Sequence, residues 1–139
     1  MIFLLTFFLL LPMIKGDYDL ASQKYADAKK IQIIAFGPKH ESVAETTAKL
    51  AMINYMNRDL DEAMTACTDV LSFHKLGKNH MTKGDAHCVL GYVHSSRRKV
   101  RQAIKSYTEA LKIYRANNLG ENDPKVQAMI KNIKSLKKK

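Results

Sequence analysis

Two cysteines, three prolines and six glycines in 139 residues leave several architectures without their materials. Cys67 and Cys88 stand apart with no Cys-x-x-Cys, which excludes a disulfide framework and a cysteine-based zinc site. The prolines and glycines fall nearly all at predicted breaks, as expected of helix pairs joined by short turns. Catalytic signatures are missing too: there is no Gly-x-Ser-x-Gly, no glycine-rich phosphate loop and no His-Glu-x-x-His. No basic motif is interleaved with aromatics, so nucleic acid is not indicated as a partner. The one long apolar run, Met1–Ile14, is shorter than the ~20 residues a bilayer span takes.

What is present is a repeat. Ala21, Tyr25 and Ala28 stand at intervals that recur as Ala63, Cys67 and Val70, then as Ala103, Tyr107 and Ala110, offset by 42 and 40 residues. A period of this size marks one helical hairpin copied and stacked, each copy burying its face against the next. The 46% apolar content supplies a core and disfavours disorder. The clearest copy pairs a helix over about 84–96, bearing His87, Leu90, Gly91 and His94 on one stripe, with a helix over about 100–117, bearing Val100, Ala103, Tyr107, Ala110 and Leu111. Gly91 and Ala103 are small where the two helices must approach, and Tyr107 fills the space beside them. The copy before pairs 44–57 with 60–75 across the turn Asn57-Arg58-Asp59.

These residues resemble the tetratricopeptide repeat family: Leu90-Gly91, Ala103, Tyr107 and Ala110, with Leu50-Ala51, Ala63 and Val70 in the preceding copy. The long period and the loops Phe36-Gly37-Pro38-Lys39-His40, Leu76-Gly77-Lys78-Asn79-His80 and Leu119-Gly120-Glu121-Asn122-Asp123-Pro124 resemble the kinesin light chain subtype. The resemblance implies an all-α fold of antiparallel helix-turn-helix repeats, stacked as a short right-handed solenoid over residues 17–124. Glycine in each loop is expected to supply the left-handed backbone that ends a helix. Asp123 and Pro124 read as N-cap and first-turn proline. Residues 125–139 are expected to form a basic capping helix with a lysine-rich tail, its apolar stripe being Val126, Met129, Ile130, Ile133 and Leu136.

Residues 1–16 admit three readings. Their apolar stretch fits a secretory signal or anchor, though no Lys or Arg precedes it. It also fits the first helix of an incomplete repeat, with Gly16–Ala21 as the turn that follows. A truncated or alternative start of a longer repeat protein is the third. The resemblance implies the cytoplasm; the first reading implies the secretory pathway, and a membrane enters only if residues 1–14 stay as an anchor.

Function is read as binding, not catalysis: no nucleophile–base pair and no cofactor motif can be assembled. His87 and His94 lack a third metal ligand and read as packed histidines, and Cys67 and Cys88 as buried thiols. By resemblance, the first helix of each hairpin lines the concave face, which offers Glu45, Met52, Tyr55, Met56, Asp85, Tyr92 and Ser96 to a peptide or partner helix. Met52 and Tyr92 are expected to face the groove as contacts separable from the core. The lysine–asparagine set with which some relatives clamp a terminal carboxylate is missing, Ala48 and Met52 standing there. Charge is unevenly placed: residues 1–64 carry net −1 and residues 65–139 net +11. The cluster Arg97, Arg98, Lys99 and Arg101 is therefore a candidate basic patch for an acidic protein partner.

Overall fold

The computed structural model describes residues 15–138, and the readings made for residues 1–14 lie outside it. Six helices follow one another: α1 Lys15–Phe36, α2 Glu41–Met56, α3 Leu60–Leu71, α4 Met81–Ser96, α5 Val100–Ala116 and α6 Pro124–Lys137. No strand occurs among the described residues. Helices α2 and α3 form one hairpin and α4 and α5 the next; α1 packs on α2, α3 on α4, α6 on α5, and α2 also touches α4. The fold is thus the all-helical stack that the repeat predicts, with α2, α4 and α6 running in one direction and α1, α3 and α5 returning. The turns within hairpins lie along one edge, here the turn edge. The loops joining hairpins lie along the other, the loop edge.

Two helices start three residues earlier than the apolar pattern suggests, because histidines cap them. His40 Nδ1 accepts from Ser42 N–H at 3.1 Å, and His80 Nδ1 from Thr82 N–H at 3.2 Å. Asp123 does the same for Lys125 N–H at 2.8 Å ahead of Pro124, as expected. A capped N-terminus gives one orphan donor its acceptor.

The left-handed helix ends are placed differently from the sequence expectation. Among the loop glycines only Gly37 has positive φ; Gly77 and Gly120 do not. Arg58, Arg98 and Asn118 take that conformation instead, at φ 66°, 59° and 64°. Each closes a Schellman motif: Asp59 N–H reaches Asn54 O, Lys99 N–H reaches His94 O, and Leu119 N–H reaches Tyr114 O. Helix α3 stops at Leu71, short of 75, where the Ser72 hydroxyl and N–H both turn back on Asp69 O.

Gly16–Ala21 is not a turn but part of α1. Asp17 sits in the first helical turn, where the macrodipole favours it. Asp19 accepts from Asn57 Nδ2 at 2.7 Å, tying the start of α1 to the end of α2.

The core has two connected parts. Ala51, Ala63, Cys67, Val70, Ala86 and Val89 meet between the hairpins. Cys88, Ala103, Tyr107, Ala110, Tyr114, Val126 and Met129 meet between α4, α5 and α6. Small residues let the helices approach: a Cβ at Gly91 would lie 2.9 Å from Tyr107 Cζ and closer still to Cδ1 and Cε1. At the opposite end, Leu20, Ile31, Ile34 and Phe36 of α1 remain exposed, Ile34 by 85%.

Candidate functional site

The three parallel helices α2, α4 and α6 wall a groove of about 640 Å³. Its floor is apolar, with Ala48, Met52, Met81, Val89, Ala128 and Met129, and its rim carries Glu45, Lys49, Asp85 and Lys125. Of the residues read from sequence as groove contacts, Glu45, Met52, Asp85 and Tyr92 line it. Tyr55 stands behind, its ring stacked on Tyr92 at 5.3 Å. Met56 and Ser96 lie at the exposed ends of α2 and α4 and do not line the groove.

Met52 packs against the cluster that holds Ala48, Ala51 and Val89, so it is not separable from the core, and neither is Tyr92. The Tyr92 ring also meets Tyr107 edge-on at 5.7 Å, so three tyrosines form a continuous aromatic row across two hairpins. Truncating Tyr92 removes both ring contacts along with any groove contact.

The third wall, α6, was not legible as a groove element while read only as a cap. Lys125 Nζ bonds Asp85 Oδ1 at 2.9 Å and lies over the Tyr114 ring at 5.4 Å. Tyr114 donates its hydroxyl to the same Asp85 oxygen at 2.7 Å. Burial, then the neighbouring Cys88 and Asp85, push the Tyr114 phenol up, so it stays a donor at ordinary pH. The signal available was register: Asp123 precedes α6 as His40 precedes α2 and His80 precedes α4.

Cys88 is the groove's thiol, and burial pushes that thiol up, which disfavours the thiolate. Cys67, also buried and free, is pushed up to about 12 by burial and by Cys88. His87 and His94 are pushed down, chiefly by burial, and lie on α4 away from the groove lining.

Glu41, Glu45 and His80 come within metal-ligand reach of one another on the loop edge. His80 Nδ1 is occupied by Thr82 N–H, so the neutral ring carries its proton on Nε2, which donates to Glu41 Oε1 at 2.8 Å. That nitrogen has no lone pair to give an ion while the cap is made. The cluster is an N-cap braced by a carboxylate of the preceding hairpin.

The basic cluster read from sequence is divided. Arg97 is paired with Asp61 of α3 across the hairpin boundary. Arg98, Lys99 and Arg101 are exposed on the turn edge. Among the described residues, no helix is long and apolar enough to cross a membrane.

No family model matches the chain, and no curated protein matches it. Solved structures do match. The crystal structure of BtubC (BKLC) from P. vanneervenii aligns with a TM-score of 0.73 and 26% identity over 88% of this chain. The chain spans about half the length of BtubC, and what the two have in common is the stack of antiparallel helix pairs.

Proposed function

We propose that the protein is a non-enzymatic interaction module of the tetratricopeptide kind, holding a peptide or a partner helix in the groove between α2, α4 and α6. The observation that carries this reading is the groove itself: an apolar lining with three methionines and two tyrosines, bounded by charges of both signs. Methionine adapts to varied partners through its flexible thioether chain, and tyrosine offers a large contact area at low entropic cost. A volume of about 640 Å³ admits a few side chains of an extended segment or one helix face. The likeness to BtubC supports a helical scaffold.

Peptides selected from a random library on the full chain test the reading. Hydrogen exchange with the bound peptide should protect the groove faces of α2, α4 and α6, and Met52→Gln, which keeps the side chain's length where it packs against the core, should weaken binding about tenfold while the chain stays folded. Peptides that bind Met52→Gln as well as wild type, or that protect other faces, would overturn it.

A second reading has its own observation. Helix α1 takes the place of a hairpin's second helix and, among the described residues, shows Leu20, Ile31, Ile34 and Phe36 to solvent, and the chain spans half of BtubC. On this reading the chain is a section of a longer repeat array, and a preceding hairpin covers that face. Mass measurement of the protein from its native source distinguishes the two.

A further inference from the structure

The turn edge is electrically divided, and the division is made by folding. At its α1–α3 end stand Asp17, Asp19, Asp59, Asp61 and Glu62, with Arg58 among them and Asp61 paired to Arg97 of the next hairpin. At its α4–α6 end stand Arg98, Lys99 and Arg101, at the start of α5, and Lys134, Lys137 and Lys138, at the end of α6. Helix α6 returns antiparallel along α5, its Leu136 packing into the cluster that holds Ala103, so its last turn lies beside the first turn of α5. Two lysine and arginine groups that are some thirty residues apart in sequence thereby become one surface. All six side chains belong to exposed residues, and none makes an ion pair with a described residue. The three acidic residues beyond Arg98 do not compensate: Glu109 lies midway along α5, and Glu121 and Asp123 lie on the loop edge. Arg98 moreover holds a left-handed backbone that glycine would adopt without strain.

We propose that this basic half of the turn edge docks a flexible, acidic protein segment, independently of whatever occupies the groove. The form of the edge selects that partner class. A flat anionic bilayer laid on the turn edge would also meet the carboxylates of its acidic half, and repulsion there would offset the attraction. Among the described residues, a nucleic acid would find no exposed aromatic ring at this surface to stack on, the tyrosine row being part of the packing between helices. An unstructured run of Asp and Glu can be confined to the basic half, and the acidic half then repels its continuation and limits the register.

The test uses the full chain and a fluorescently labelled peptide of alternating Glu and Gly, with binding read by anisotropy. The triple variant Arg98→Gln, Arg101→Gln, Lys134→Gln is expected to weaken binding about tenfold, since each exposed pair contributes modestly and three are lost. A control triple with the same change in net charge, Lys39→Gln, Lys75→Gln, Lys78→Gln on the loop edge, should leave binding within about twofold. Wild-type binding should weaken steeply between about 0.1 M and 1 M salt, as the Debye length falls from ~10 Å to ~3 Å. Equal losses in both triples would show a diffuse charge effect and overturn the site. So would absence of peptide binding, or binding to phosphatidylserine vesicles or single-stranded oligonucleotide that alone depends on the first triple.

Discussion

Gly91 acts through a side chain it does not have. Tyr107, 3% exposed, occupies the space where a Cβ would stand. The ring is held by Tyr92 and by the α4–α5 packing, so it cannot retreat cheaply. Gly91→Ala is expected to cost about 1–3 kcal/mol in thermal or urea unfolding. Gly77→Ala should cost nothing, because no atom lies within 4 Å of the added carbon and φ there is not positive. Arg58 and Arg98 give the opposite sign. A left-handed backbone costs an L-residue about 1–2 kcal/mol. Glycine forfeits about 0.4–1 kcal/mol of that through its freer unfolded chain. Arg58→Gly and Arg98→Gly should therefore each raise stability by roughly 0.5–1 kcal/mol in denaturant melts.

At the scale of an element, α4 carries the pH response. Burial lowers both His87 and His94 from the ordinary value of 6.5, and Lys99 and Arg97 add to the effect at His94. Glu109, facing His87 from α5, acts the other way without reversing it. The folded state therefore favours neutral rings, and the unfolded chain binds more protons as pH drops below the ordinary value. By linkage, stability is fully present above about pH 6.5 and declines as pH falls toward the lowered folded values. A Tm profile between about pH 8 and pH 5 should fall at the acid end, and His87→Asn with His94→Asn should flatten it. The groove depends on elements in the same way. Met52 and Tyr92 were readable because α2 and α4 show period and small residues; α6 as a wall was not, because its role depends on Lys125 reaching Asp85 forty residues away.

Among the described residues, the array has unlike ends. At the C-terminal end α6 closes the core, with Met129 1% exposed. At the other end α1 leaves its outer face open, with Ile34 85% exposed. Met129→Ala is expected to cost about 2–5 kcal/mol, by cavity formation and lost transfer energy. Ile34→Ala should change stability by no more than about 0.5 kcal/mol, since it removes little buried surface. Comparable losses for the two variants, in calorimetry at several protein concentrations, would show that α1 is covered in solution.

The hairpin repeat, its helix pairs and the small residues at their crossings were determined by the sequence alone, because they rest on spacing within one or two turns of helix. Asp123 and Pro124 announced α6 for the same reason: a cap and its proline act over a few residues. Helix starts at Glu41 and Met81 depended on His40 and His80 as caps, residues that are rarely used so and are held by Phe36 stacking and by Glu41. Left-handed ends fell to Arg58 and Arg98 because the helices must stop where the hairpin turns, whatever residue stands there. The groove's third wall, the aromatic row and the two-signed turn edge arise between residues thirty to forty apart. No local pattern encodes which of those meet; the superposition of one hairpin on the next decides it.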